Sequence, residues 1–112
     1  MTHLDVARYN KGVSKYRKGD ICWINNLEFR NSIIRCKGRP VLILSVKNGI
    51  ARCRRCTSQT STFRDRRVIE DLFETGLLKT TYVDMEVVEY PVDRMGKVIG
   101  HLSKNDCARL CD

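Results

Sequence analysis

Cysteine is the residue type whose spacing in this chain most directly suggests chemistry, because paired thiolates can hold a zinc ion. Cys53 and Cys56 are separated by two residues, and Cys107 and Cys111 could supply a second pair across one helical turn. Against a zinc site, the segment 49–57 is typical of a strand, in which residues three apart point to opposite faces. We therefore predict free cysteines and no metal, with a zinc site in a regulatory protein as an open alternative. The other two cysteines are Cys22 and Cys36.

The remaining motifs exclude several enzyme classes. His3 and His101 stand alone, with no second histidine or carboxylate at metal-binding spacing. The sequence has no phosphate-binding glycine loop, no nucleophile elbow and no dinucleotide fingerprint. A chain of 112 residues is also too short for separate substrate and cofactor lobes. We predict one small domain that uses no cofactor.

Basic residues are concentrated in the first part of the chain. Residues 1–67 contain 16 basic and 4 acidic side chains, a net charge of +12, whereas residues 68–112 contain 5 basic and 9 acidic side chains, a net charge of −4. Clustered cations bind nucleic acid by displacing the counterions that surround its phosphates. The charge distribution therefore predicts a polyanionic partner, with a solvated basic surface as the alternative.

The apolar segments are short. None approaches the roughly 20 residues that a membrane-spanning helix needs. The first 20 residues carry five basic side chains and lack the apolar region of a signal peptide. We expect a cytoplasmic protein without a membrane partner, and a reducing compartment argues against a disulfide framework.

The elements that must position these groups are mainly strands. A turn at 18–20 leads into a short apolar strand at 21–24. Trp23 lies in the middle of this run, so we expect it in the core rather than as a platform on which a base stacks. The following residues, 25–38, form a long basic loop in this prediction.

The next two segments predict a hairpin. The aliphatic run 41–46 is typical of a central strand that is buried on both faces. Asn48-Gly49 follows it, and this dipeptide favours a type I′ turn because both of its residues adopt positive φ readily. We therefore expect 41–46 to pair with 50–58.

Two short helices are predicted in the second half. Apolar residues at 68, 69, 72 and 73, followed by Gly76, predict a helix over 68–76 that ends at a left-handed glycine. Ser103 is the predicted N-cap of a C-terminal helix, and Asp106 takes the third helical position, as in a variant capping box.

The remaining segments complete a mainly β (α+β) fold. Residues 59–67 are polar and basic and predict a surface loop, whereas 82–92 and 97–102 predict strands. Residues 1–17 show weak periodicity and are interpreted as a basic N-terminal extension without fixed structure.

Five segments in a fixed order carry a family resemblance. They are KGDICWI at 18–24, GRPVLIL at 38–44, CTS at 56–58, GLLKTTYV at 76–83 and IGHLS at 99–103. In this order they resemble the MazF/PemK family, which consists of ribosome-independent endoribonuclease toxins of type II toxin-antitoxin systems. The resemblance covers residues 18 to about 110 and implies an endoribonuclease domain over 18–112.

The family resemblance implies a fold and a reaction. The implied fold is a small SH3-like, partly open barrel with two or three short helices that forms a homodimer. The implied reaction is metal-independent, sequence-selective cleavage of single-stranded mRNA, in which a ribose 2′-oxygen attacks the adjacent phosphorus and leaves a 2′,3′-cyclic phosphate. Such a reaction needs a base, an acid and stabilisation of negative charge.

The resemblance also implies which residues act. Arg39 would bind the scissile phosphate through its guanidinium, Thr57 would donate a hydrogen bond to the phosphate, and Glu86 would be the base or a charge-positioning group. Three arginines in one predicted strand cannot all be buried, so at least one face of that strand should meet solvent or phosphate. The predicted RNA-binding residues are Lys37, Ser58, Gln59, Arg52, Arg54 and Arg55.

Two departures from the family pattern support an alternative. Asp84 stands two residues before Glu86, where some members carry an arginine, and residues 25–37 lack the Gly-Ser-Glu-Gln-like segment of many members. The alternative is a catalytically inactive nucleic-acid-binding module on the same fold, with a regulatory role.

The family also implies partners. They are single-stranded RNA and a cognate antitoxin whose acidic, disordered tail lies over the basic groove. DNA would be bound only through the antitoxin complex.

Overall fold

The computed structural model describes residues 15–25 and 38–112, and within these ranges the fold is mainly β, as predicted. The α-helix found there, α1, spans Lys104–Leu110, and a short 3-10 helix spans Val92–Arg94. No helix in the described ranges is both long and apolar enough to cross a membrane. The strands are β1 (Asp20–Asn25), β2 (Gly38–Lys47), β3 (Ile50–Thr57), β4 (Arg66–Val68), β5 (Tyr82–Asp84), β6 (Val88–Pro91) and β7 (Met95–His101).

The seven strands form one antiparallel sheet that is not closed into a barrel. The order is β4-β5-β3-β2-β1-β7, and β6 pairs with β3 beside this path. β3 is the branching strand, because its first part pairs with β6 and its last two residues, Cys56 and Thr57, pair with β5. The sheet therefore divides at the end of β3, and this division opens a space beside the start of β2.

Alternating side chains of the central strands build two separate cores. On β2, Val41 and Ile43 belong to one apolar cluster and Leu42 to the other. On β3, Cys53 belongs to the first cluster and Cys56 to the second. This arrangement confirms that β2 is buried on both faces and that the Cys53 and Cys56 side chains point to opposite faces.

The hairpin between β2 and β3 is confirmed. Lys47 pairs with Ile50, so Asn48 and Gly49 are the two turn residues, with φ values of 54° and 79°. Positive φ at both positions is the requirement of a type I′ turn. The dipeptide therefore fixes the register next to the turn, and an irregularity between Ile43 and Ser45 shifts the pairing by one residue towards the far ends of the strands.

The predicted helix over 68–76 is wrong. Val68 ends β4, and the backbone N–H of Ile69 donates to the carbonyl of Thr81, which continues the pairing between chain segments instead of starting a helix. Ile69 is buried whereas Phe73 is exposed, so the apolar residues do not share one buried face. The predicted left-handed glycine is nevertheless present, because Gly76 has a φ of 78°.

The predicted strand over 82–92 is divided into β5 and β6. Met85 donates its N–H to the carbonyl of Asp65, which continues the pairing of β5 with β4, and Glu86 donates its N–H to the Asp84 carboxylate. The local bond from Glu86 to the side chain two residues earlier is typical of a turn, and it separates the two strands. Residues 66 and 67 were predicted in a surface loop and residue 68 in a helix, but the three residues pair with β5 instead.

The C-terminal helix begins as predicted, with Ser103 as its N-cap. The Ser103 hydroxyl accepts a 3.1 Å hydrogen bond from the N–H of Asp106. The Asp106 carboxylate does not complete a capping box. It accepts from the N–H of Asp71 at 2.9 Å and pairs with Arg109, which fixes the loop after β4 to the helix.

Ordered packing starts before residue 18. Tyr16, which the predicted extension 1–17 includes, is buried, and its hydroxyl donates to the carbonyl of Gly96 at 2.9 Å. The rest of that extension up to residue 14, and the predicted loop from residue 26 to residue 37, lie outside the described residues.

Candidate functional site

A groove of about 810 Å³ lies where the sheet divides. One side is formed by the start of β2 and the end of β3, and the other by the loop that connects β4 to β5. We call this feature the groove throughout. Its lining residues are Trp23, Gly38, Arg39, Pro40, Cys56, Thr57, Ser58, Gln59, Gly76, Leu77, Leu78, Lys79, Thr81 and Ile99.

The groove gathers four of the predicted site residues, namely Arg39, Thr57, Ser58 and Gln59. Strand pairing explains their proximity. Val41 pairs with Arg55, and Arg39 and Thr57 are each two residues nearer the open end of the same hairpin. The Thr57 hydroxyl accepts a 3.2 Å hydrogen bond from the N–H of Gln59, which fixes its oxygen and leaves its proton for an acceptor in the groove.

The groove carries two exposed cations, Arg39 and Lys79. Neither forms an ion pair with another residue in the described ranges. A guanidinium with no protein carboxylate is available to a phosphate, to which it can donate two parallel hydrogen bonds. Lys79 is a groove residue that sequence reasoning did not assign, although it lies within the family-like segment 76–83.

Trp23 contradicts its predicted place in the core. Its side chain is 41% exposed and lines the groove. Cys22 and Ile24 on either side belong to one core cluster, so the alternation of the strand directs Trp23 to the opposite face. The alternation of side chains in β1 could have predicted this position. Residues 21–24 are all apolar, however, so the sequence does not show which of them face the core.

The thiol in the groove is not a nucleophile at neutral pH. Cys56 is buried, and this burial raises the pKa of its thiol to about 12. A thiol with such a pKa stays protonated, whereas reactive cysteines have a lowered pKa. Cys56 therefore contributes apolar surface to the groove.

Glu86, the predicted base, does not line the groove. Its carboxylate receives hydrogen bonds from Arg64 and, at 3.1 Å, from Arg55. Arg55 is thus paired with a carboxylate of this protein. Both residues belong to a group of charged side chains beside β5, which we call the arginine cluster: Arg55, Arg64, Arg66, Asp84 and Glu86.

Asp84 is the centre of the arginine cluster. Its side chain is only 6% exposed. It accepts a hydrogen bond of 3.0 Å from Arg64 Nη2, a second from Arg64 Nε, and one of 3.2 Å from Arg66 Nε. The bonds from Arg64 are the main cause that lowers the pKa of Asp84 to about 2, and they outweigh the opposing effect of burial.

The arginine cluster reaches the groove through Arg66. Besides its bond to Asp84, Arg66 donates from Nη1 to the carbonyl of Gln59 at 3.0 Å. Gln59 is one of the groove residues. The buried Asp84 carboxylate therefore holds Arg66, and Arg66 in turn positions the backbone of Gln59 in the groove.

Like Arg55, the predicted RNA-binding residues Arg52 and Arg54 do not line the groove. Arg54 donates to the carbonyls of Met85 at 3.0 Å and Leu110 at 2.6 Å, so it stabilises the C-terminal end of α1. Arg52 is exposed and lies opposite Glu89 of β6. Lys37 lies outside the described residues.

The described cysteines are free, namely Cys22, Cys53, Cys56, Cys107 and Cys111. Cys107 and Cys111 have their sulfur atoms 3.1 Å apart on one face of α1. Residues 15–25 and 38–112 contain no group of three or more histidine, cysteine or acidic side chains that could hold a metal ion. Cys53 and Cys56 are thus not brought together with Cys107 and Cys111, as the alternative zinc site would require.

Chemically, the groove combines an exposed arginine, hydroxyl groups and an exposed aromatic ring. This combination suits one segment of single-stranded nucleic acid. Comparison of the chain with known protein families gives no match to a family model, and comparison with curated proteins gives no match either.

Proposed function

We propose that this protein is a metal-independent endoribonuclease that cleaves single-stranded mRNA, of the MazF/PemK type, and the toxin of a type II toxin-antitoxin pair. The observation that supports the proposal is the convergence of Arg39, Thr57 and Ser58 in one groove. These are the residues to which the family resemblance gives phosphate contacts. The open sheet, with its branching strand, is compatible with a divergent SH3-like, partly open barrel.

Arg39 has the main role in the proposed reaction. The ribose 2′-oxygen bonds to phosphorus as it loses its proton, and the bond from phosphorus to the 5′-oxygen breaks as that oxygen gains a proton. The products are a 2′,3′-cyclic phosphate and a 5′-hydroxyl. Negative charge on the phosphoryl oxygens grows before the second bond breaks, so Arg39 and the Thr57 hydroxyl stabilise the transition state more than the substrate.

The other implied partners complete the proposal. A cytoplasmic homodimer would bind single-stranded RNA, and an antitoxin with an acidic, disordered tail would neutralise it. The exposed Arg39 and Lys79 suit such a tail, because they lie in one groove without carboxylates of their own. Contact with DNA would come through the antitoxin.

A second candidate function is a nucleic-acid-binding module without catalysis. The observation that favours it is the absence of any carboxylate or imidazole among the described groove residues. Glu86 is outside that lining and is paired with Arg55 and Arg64. A groove of this kind binds phosphate, but it has no obvious group to remove the 2′-proton.

One experiment separates the two candidates. The purified protein is incubated with a long, unstructured RNA in excess EDTA, and the cut sites and end groups are mapped. The Arg39→Ala variant tests the groove, and Arg94→Ala is the matched control because Arg94 is exposed and outside the groove lining.

The endoribonuclease proposal predicts discrete cuts with cyclic or 3′-phosphate ends. Arg39→Ala should slow cleavage about 100-fold or more, as expected when a group that stabilises transition-state charge is removed, and Arg94→Ala should cleave like the parent protein. Salt-dependent binding of intact RNA that Arg39→Ala weakens would support the binding module instead.

A further inference from the structure

Trp23 is an aromatic ring held open to the groove. It is 41% exposed, although it lies on a strand whose neighbouring residues Ile21, Cys22 and Ile24 are buried. A tryptophan contributes the most to stability when it is buried, so an exposed indole in a groove suggests that another molecule covers it. It is also the one tryptophan of the chain.

Gly38 fixes the position of the ring. A Cβ atom on Gly38 would lie 1.6 Å from the indole Nε1, so this position admits no side chain while the ring stays where it is. Glycine within a strand commonly marks such a close approach. The indole therefore rests against the backbone at the start of β2, and this support orients the ring before any ligand arrives.

Trp23 shares the groove with Arg39, the proposed phosphate-binding residue. Trp23 pairs with Pro40 and Arg39 pairs with Ile24 across β1 and β2, so the Trp23 and Arg39 side chains leave opposite faces of the two strands where the sheet opens into the groove. Trp23, Pro40 and Arg39 line the groove. A groove that offers both a guanidinium and an aromatic ring suits a nucleotide, because the phosphate needs the charge and the base needs the flat apolar surface.

We propose that the Trp23 indole stacks against one base of a single-stranded nucleic acid whose neighbouring phosphate is bound by Arg39. Bases in a duplex are already stacked on each other, so this site selects single strands without reading a particular sequence. The inference rests on the proposed function for the nature of the ligand, but it concerns binding and not cleavage.

The fluorescence of Trp23 reports on the site directly. The probe is a random-sequence decamer of 2′-O-methyl RNA, which has no free 2′-hydroxyl and is not cleaved. Binding is measured in parallel by the anisotropy of a dye on the decamer. We expect the decamer to quench the tryptophan emission, and we expect inorganic polyphosphate, the duplex decamer and polyglutamate to bind without comparable quenching.

Two variants separate stacking from apolar contact. Trp23→Leu should bind the decamer about 10-fold more weakly or worse, whereas Trp23→Phe, which keeps an aromatic ring, should bind within a few-fold of the parent. Affinity for polyphosphate should be unchanged in both. Because the unaltered protein gives the quenching result on its own, the test does not depend on whether Trp23→Leu folds.

The outcomes are distinguishable from failure of the proposed function. Decamer binding without a change in emission, equal quenching by polyglutamate, or decamer affinity that Trp23→Leu leaves unchanged would overturn base stacking even if the protein cleaves RNA. Quenching with loss of affinity in Trp23→Leu, in a protein that leaves RNA intact, would retain base stacking and reject the nuclease. Failure of the decamer to bind at low salt would overturn base stacking, whereas the nuclease is tested by the cleavage assay alone.

Discussion

Asp84→Asn should destabilise the protein in a manner that depends on pH. The substitution keeps the shape of the side chain and removes the charge that Arg64 and Arg66 bind. The pKa of Asp84 is lowered from 3.8 to about 2 in the folded protein. This difference corresponds to about 2 kcal/mol of unfolding free energy at neutral pH, since one pKa unit is about 1.4 kcal/mol.

The sign of the pH dependence follows from the direction of the shift. An aspartate with a lowered folded-state pKa contributes its full stability above the unfolded-state value of 3.8, and this contribution disappears as the pH falls through about 2. The difference in unfolding free energy between the parent and Asp84→Asn should therefore be about 2 kcal/mol from pH 7 to pH 5. It should fall to about 1 kcal/mol near pH 3.

Urea unfolding at a series of pH values, at one protein concentration, measures this difference. Asp65→Asn is the matched control, because Asp65 precedes β4 and pairs with Arg67 where both side chains are more than half exposed. A surface pair of this kind contributes little, so its loss should be much smaller than that of Asp84. A difference for Asp84→Asn that stays constant down to pH 3, or that equals the control, would refute the assigned role of the carboxylate.

Two further predictions concern glycines. Gly38→Ala should shift the tryptophan emission and lower the unfolding free energy by about 1–3 kcal/mol, because the new methyl group would displace the indole. An unchanged emission spectrum would contradict the contact between Gly38 and Trp23. Gly76→Ala should lower the unfolding free energy by about 3 kcal/mol and Gly49→Ala by about 1 kcal/mol. Both glycines have positive φ, but only at Gly76 would the new Cβ meet a neighbouring atom, the Ile99 carbonyl oxygen at 2.3 Å. Urea unfolding that ranks the two variants in the opposite order would contradict this packing.

The hairpin and the C-terminal helix could be predicted from the sequence because local chemistry decides them. Asn48 and Gly49 accept positive φ, and Ser103 supplies the hydroxyl that the first turn of α1 needs. Each of these signals acts over four residues or fewer, so distant contacts do not override it. The convergence of Arg39 and Thr57 depends in addition on the register shift between Ile43 and Ser45, which no local signal in the sequence predicts.

The segment from 68 to 81 could not be predicted because tertiary contacts decide it. Its apolar spacing favours a helix, but Asp71 gives its N–H to Asp106, 35 positions along the chain, and Ile69 gives its N–H to Thr81. These bonds replace the ones that a helix would make. The side of the groove that carries Lys79 is built by this segment, so sequence patterns alone did not find that cation.

The fold neutralises part of the charge asymmetry of the sequence through ion pairs. The basic first part lies against the acidic second part, as Arg55 and Arg64 pair with Glu86, Arg66 pairs with Asp84 and Lys18 pairs with Asp112. Of the arginines that suggested a polyanion-binding strand, Arg55 pairs with Glu86 and Arg54 binds two backbone carbonyls, so these two stabilise the folded chain instead. The position of a cation in the fold decides whether it is available to a ligand. In the groove the available cations are Arg39 and Lys79, which lack an ion-pair partner within the described ranges. Affinity for nucleic acid should consequently depend on these two cations far more than on the net charge of +8.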